Sequence, residues 1–170
     1  MPTPPVLRRP IYLFALRVFR RLPAPVRRLV VRAGTPNFTV GAVCLLQREG
    51  RVLMLRQPHR EGWSLPGGLL DRGESAADAV RRELREELGL VVQVGMPVTV
   101  VVDAPLRRVD VVYRVVVDGE LGEQVGGEAT TARWLLPEQI DDMDGPTRQI
   151  LQAAREVAAP SGYDGQVLRA

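Results

Sequence analysis

Residues 67–90 read GGLLDRGESAADAVRRELREELGL. A glycine-rich turn here runs into a stretch with the period of an amphipathic helix. Ser75 with Asp78 three positions on resembles a capping box, and Gly89 suits a left-handed C-terminal cap. At about 100° per residue, Ala77, Val80, Leu84 and Leu88 share one stripe, which the spacing predicts to face a core. With Val80 at 0°, Glu87 falls at about −20°, Glu83 at about −60° and Glu86 at about −120°, so the three carboxylates border that stripe. Arg81, Arg82 and Arg85 fall on the far side, although Arg82 can reach Glu86 at the i,i+4 spacing.

Like charges at i,i+4, as in Glu83 and Glu87, repel by a few tenths of a kcal/mol on an exposed helix, and by more at a core boundary. Something must offset that repulsion. A hard divalent cation, Mg²⁺ or Mn²⁺, would do so, because it takes oxygen ligands and leaves positions open for water and phosphate oxygens. The plain alternative is a solvated helix face on which arginine and glutamate trade weak surface pairs.

Around this helix, residues 38–47 and 51–57 are rich in β-branched and aliphatic residues and flank the turn Arg48-Glu49-Gly50, which predicts a hairpin. Residues 58–68 read as loop. Segments 90–94, 97–103, 108–117 and 129–136 read as strands, 118–128 as a glycine-rich acidic loop, and 145–159 as an amphipathic helix. Strands around one central helix, with another helix after the last strand, imply an α/β fold with a mixed sheet sandwiched by helices. The expected division is a helical arm over 1–36, a catalytic domain over 37–159 and a loose tail over 160–170.

The chain has 170 residues, 45% of them apolar, enough for one domain with a full core. All 23 basic residues are arginines. Eight of them, Arg8, Arg9, Arg17, Arg20, Arg21, Arg27, Arg28 and Arg32, fall in residues 1–34 with no acid among them, so the rest of the chain is net acidic. The apolar run near the N-terminus is cut short by Arg17 and is followed by no small-residue cleavage site, so neither a signal peptide nor a transmembrane helix is expected. Cys44, the single cysteine, sits in an apolar run and reads as a small core residue; a reducing, cytoplasmic compartment fits.

From Gly68 the register is glycine, five residues, Glu74, seven residues, then Arg82-Glu83-Leu84-Arg85-Glu86-Glu87-Leu88-Gly89-Leu90. This resembles the Nudix box, GX5EX7REUXEEXGU with U a bulky aliphatic residue, at every specified position. The resemblance covers about residues 38–158. It implies the Nudix fold, an α/β/α sandwich, and metal-dependent hydrolysis of a nucleoside diphosphate linked to another moiety, either ADP-ribose-like or a nucleoside triphosphate as in the MutT-like members. By the same resemblance Glu83, Glu86 and Glu87 bind the metal ions, Gly67 offers a backbone carbonyl, and Arg82 and Glu74 hold the glutamates in place. In several members a base or further metal ligand comes from a loop before a Trp-containing strand. Glu128, six residues before Trp134, is the favoured candidate here, and Glu120 and Glu123 share its loop.

His59, the only histidine, reads as a solvent-facing loop residue, with a catalytic or base-contacting role as the alternative. Trp63 and Trp134 read as core residues before base-stacking ones, and Tyr113 as structural or cleft-lining. Pro105 lies close to where ADP-ribose-cleaving relatives carry a proline, which turns select in any case. A catalytically silent domain serving as a nucleotide sensor or interaction module is the alternative function, and the undamaged metal glutamates argue against it. For the arm, packing on its own domain or in a homodimer is favoured over contact with a membrane surface or nucleic acid, since its apolar residues need burial.

Overall fold

The computed structural model describes residues 9–119, 121–122, 125–156 and 164–169. The chain divides into two compact units, Met1–Asn37 and Phe38–Ala170. The first holds two helices, α1 (Arg9–Arg21) and α2 (Ala24–Gly34), separated at Pro23, whose fixed φ and missing N–H suit a helix entry.

The second unit is built on one mixed sheet. Its strands are β1 (Thr39–Arg48), β2 (Arg51–Arg56), β3 (Trp63–Ser64), β4 (Gly67–Leu69), β5 (Val91–Gln93), β6 (Thr99–Asp103), β7 (Arg108–Val116), β8 (Thr131–Leu135) and β9 (Gly165–Arg169). The main path runs β3-β2-β1-β7-β9-β5, with β4 also paired to β1, β6 to β7 and β8 to β2. β1 and β2 form the expected hairpin, in register Gln47↔Val52, and turn through Glu49 and Gly50, both at positive φ. β1 lies parallel to β7 over nine residue pairs, from Thr39↔Arg108 to Gln47↔Val116.

Two helices flank this sheet, α3 (Ala76–Leu88) and α4 (Gly145–Glu156). Because side chains alternate along a strand, Ala42, Cys44 and Leu46 of β1 pack in one core layer with Val80, Leu84 and Leu88 of α3. Val43 and Leu45 pack on the other side with Ile150 and Leu151 of α4. The sandwich inferred from the order of elements is therefore the one formed.

Residues 165–169, inside the stretch expected to be a loose tail, instead form β9. It pairs in parallel with β7 and antiparallel with β5, and thereby joins β5 to the sheet. Gly165 permits this insertion, since a Cβ there would lie 2.2 Å from the Gln93 carbonyl oxygen. The preceding Asp164 pairs with Arg114 of β7. Residues 157–159 of the expected last helix lie outside the described residues.

Candidate active site

The sequence of α3 fixes its register at both ends. The Ser75 hydroxyl oxygen accepts the Asp78 N–H at 3.2 Å. Gly89, at φ 69°, ends the helix with its N–H on the Arg85 carbonyl, and Leu90 N–H reaches the Leu84 carbonyl. The buried face comprises Ala79, Val80, Leu84, Glu87 and Leu88. It is wider than the stripe read from the sequence, where the carboxylates only bordered the apolar residues. Glu87 lies inside the buried face, 5% exposed, because β4 and the end of β2 cover that side of the helix.

Two donors compensate the buried carboxylate. Gly67 N–H donates to Glu87 Oε2 at 3.1 Å, and Gln57 Nε2 donates to Oε1. Burial nevertheless pushes the carboxyl up to about 7; the Gly67 N–H opposes the shift, the Glu83 charge adds to it, and Arg60 and Gln57 lower it. Gln57 Oε1, also buried, has no hydrogen-bond partner among the described residues.

Glu83 occupies the space a side chain at residue 68 would need: a Cβ on Gly68 would lie 2.1 Å from Glu83 Oε1. Behind it, Arg82 ties the start of the loop to the helix. Its Nε lies 3.0 Å from Glu74 Oε1 and its Nη2 3.1 Å from Glu74 Oε2, a two-pronged pair. The same Nη2 donates to Leu69 O at 3.1 Å, while Nη1 donates to Glu83 Oε1 at 2.8 Å and to Glu86 Oε2 at 3.5 Å. The Arg82 hydrogen bonds hold the Glu74 carboxyl below its ordinary range, helped by the Asp71 N–H. Glu86 is the most exposed of the three helix glutamates.

Gln57, Gly67, Gly68, Leu69, Glu83, Glu86 and Glu87 line one cleft of about 650 Å³. The same cleft brings in cations that the sequence did not single out, Arg60 and Arg108. Arg60 pairs with Asp144 at 3.1 Å, and Asp144 also accepts the Thr147 N–H in the first turn of α4 at 2.8 Å. Arg108 pairs with the buried Asp110 at 2.7 Å. Gly41 on the neighbouring strand leaves that pair its room, for a Cβ there would sit 2.3 Å from Asp110 Oδ1.

Glu128 also lines the cleft, with its Oε2 3.2 Å from His59 Nδ1. Both side chains are more than half exposed, so His59 is the solvent-facing residue expected, with an acidic partner the sequence did not suggest. The loop carrying Glu128 is anchored on both sides: Gly126 N–H donates to the Glu87 carbonyl at 2.6 Å, and Thr130 N–H to the Arg56 carbonyl at 2.8 Å. Glu120 and Glu123 lie outside the described residues. Trp134 is buried, its indole N–H 3.3 Å from Leu121 O, and Trp63 is partly buried beneath the Arg56 guanidinium. Tyr113 and Cys44 are core residues, the Cys44 thiol pushed up by burial. Pro105 sits in the turn between β6 and β7 and does not line the cleft.

The NUDIX domain family matches residues 35–154, most of the chain. The chain belongs to the Nudix family. Over 98 residues it is 31% identical to a MutT-like protein of Streptomyces ambofaciens, covering 58% of this chain and 63% of that protein. Over 56 residues it is 43% identical to an RNA pyrophosphohydrolase of Xanthomonas oryzae, covering 33% of this chain and 26% of that one. The chain thus spans less than two thirds of the length of these curated relatives. Among solved structures, a bifunctional NMN adenylyltransferase/ADP ribose pyrophosphatase from Francisella tularensis, complexed with AMP and a Mn ion, superimposes with a TM-score of 0.57. It shares 24% identity over 76% of this chain and 44% of that one, a likeness of fold. In this Nudix domain no three His, Cys, Asp or Glu side chains among the described residues converge tightly enough to enclose an ion. Glu83, Glu86 and Glu87 share the cleft without closing on one point.

Proposed function

We propose that this Nudix domain is a Mg²⁺- or Mn²⁺-dependent pyrophosphohydrolase, cleaving the diphosphate of a nucleoside diphosphate linked to another moiety. One observation carries the reading: Glu83, Glu86 and Glu87 line a single cleft of about 650 Å³ together with Arg60, Arg108, Gly67 and Gly68. Acids and guanidinium groups gathered in one cleft suit a polyanion with its counter-cations.

The donor set fits a hard cation. All its members are oxygens, the lack of a side chain at Gly68 lets Glu83 take its place in the cleft, and the buried Glu87 carboxyl has neutral hydrogen-bond donors in Gly67 N–H and Gln57 Nε2. Glu83, Glu86 and Glu87, with the Gly67 carbonyl, would hold the ion. A bound Mg²⁺ or Mn²⁺ supplies charge that polarises the phosphoryl oxygens and acidifies a water.

The chain's own groups do the rest. Arg60 and Arg108 attract and orient the diphosphate, and their ion pairs with Asp144 and Asp110 fix both guanidinium planes. Arg82 and Glu74 keep Glu83 and Glu86 from turning away. Glu128, exposed at the rim, accepts the proton of the attacking water on Oε2 as the water oxygen bonds to phosphorus and the anhydride P–O bond breaks. A cytoplasmic setting belongs to the same reading.

The test is product identification from ADP-ribose, nucleotide sugars, dinucleoside polyphosphates, nucleoside triphosphates and a 5′-triphosphorylated RNA, with and without Mg²⁺ or Mn²⁺. Metal-dependent cleavage of one class supports the proposal and names the moiety released. Nucleotide binding with no cleavage anywhere in the panel would overturn it in favour of a sensor.

A further inference from the structure

Among the described residues, the two helices of the N-terminal unit carry an exposed apolar surface. Along α1, Phe14, Val18, Ala15, Phe19, Tyr12 and Leu16 cover about 200° of the helical wheel, while Arg17, Arg20 and Arg21 fall within about 100° on the other side. In α2, Leu29, Ala33, Val26 and Val30 share one sector of about 100°, with Arg27, Arg28 and Arg32 opposite. α2 has no buried residue. Phe14 is 68% exposed, Leu29 66% and Tyr12 63%.

We propose that this arm lies on an anionic lipid surface, with the apolar faces of α1 and α2 at the acyl boundary and their arginines among the phosphate headgroups. Three observations select this occupant. Residues 1–34 hold eight arginines and no acid, while the other fifteen arginines of the chain are outnumbered by twenty acids, so the arm is the part that a negative surface attracts. A nucleic acid would satisfy the arginines but leave Phe14, Leu16 and Leu29 in water, whereas a bilayer takes both groups at once. A second copy laid on these faces would bring two uniformly cationic arms together, with no acid on either to offset the repulsion. No helix among the described residues is long and apolar enough to cross a membrane, so the contact is peripheral.

The arginines also frame hollows where headgroups would sit. Arg27, Arg28 and Arg32 line one of about 590 Å³ with Thr35 and Asn37, and Arg17, Arg20 and Arg21 line another of about 380 Å³ beside Leu13 and Leu16. Guanidinium forks at such edges pair with phosphate while their methylene stems stay in the apolar layer.

The experiment is co-sedimentation of the full chain with vesicles of phosphatidylcholine alone and with about 30% phosphatidylglycerol, enough anionic lipid to give a negative surface potential, at low and high salt. The expected result is binding to the anionic vesicles only, released by salt. Phe14→Glu with Leu29→Glu is expected to weaken it at least about tenfold, and Arg20→Gln with Arg21→Gln roughly thirtyfold. All four positions are exposed, so unchanged melting of the variants shows that the fold is not what was lost. Absence of vesicle binding overturns the proposal. So does binding that survives the Phe14/Leu29 pair, or single-stranded RNA binding that needs only the arginines in a protein that ignores vesicles. A dimer in buffer that the Phe14/Leu29 pair dissociates, with no vesicle binding, would assign the face to a second copy instead.

Discussion

At Glu87 the protein keeps a carboxylate where a core residue would ordinarily sit, and two measurements follow from that placement. Its carboxyl titrates near 7 in the folded chain, against an ordinary value of 4.5. Between those values the folded form holds a proton that the unfolded form has lost, so folding is favoured at the acid end of the window. The metal-free protein is therefore expected to lose thermal stability as pH rises from about 4.5 through about 7, and to level off above. Glu87→Gln should flatten that profile and melt at pH 8 no lower than the parent. A parent profile that rises with pH over this window would refute the burial argument. In the presence of metal, Glu87→Gln and Glu83→Gln are each expected to lower turnover by ~10²–10³-fold while the circular dichroism spectrum stays unchanged. A near-normal rate for either variant removes that residue from the ligand set. The box glutamates were legible in the sequence because they share one helix in fixed register. Gln57, Arg60 and Arg108 were not, because they reach the cleft from the end of β2, the loop after it and the start of β7. No local spacing marks such an encounter; only the β1–β7 register, which places Arg108 opposite Thr39, brings it there.

The short strand β4 separates the structural and functional uses of two adjacent glycines. Gly67 sits at φ 137°, and a Cβ there would meet the Ala42 carbonyl oxygen at 2.3 Å and Val43 Cα at 2.8 Å, both backbone atoms that cannot yield. Gly67→Ala is expected to destabilise the protein by about 3 kcal/mol in denaturant unfolding. At Gly68 the obstacle is only the end of the Glu83 side chain. Gly68→Ala should therefore leave unfolding nearly unchanged and lower turnover by ~10²-fold through displacement of Glu83. If Gly68→Ala unfolds as readily as Gly67→Ala, the distinction fails. The longer elements could be read from the sequence because period and caps agree, as in α3 with Ser75 and Gly89. β4, three residues with two glycines, and β9, five residues within the stretch read as tail, carry too little alternation to be seen; pairing to β1, β7 and β5 makes them strands.

Across the whole molecule, the two core clusters of the described residues draw on residues from Ala42 onward. A protein comprising 38–170 is accordingly expected to fold with a melting temperature within about 3 °C of the full chain, and to keep its turnover on a soluble nucleotide substrate. A loss of cooperative unfolding on removing 1–37 would show that the sandwich depends on the arm. Within the sandwich, the loop that bears Glu128 is fastened by Gly126 to the end of α3 and by Thr130 to β2, and a side chain at Gly126 would run 2.8 Å from the Glu86 carbonyl oxygen. Those two fastenings constrain evolution of the span between them. The five residues from Gly126 to Thr130 must keep their number to hold Glu128 on the cleft, so descendants of this chain can exchange side chains there but cannot insert or delete residues without moving Glu128.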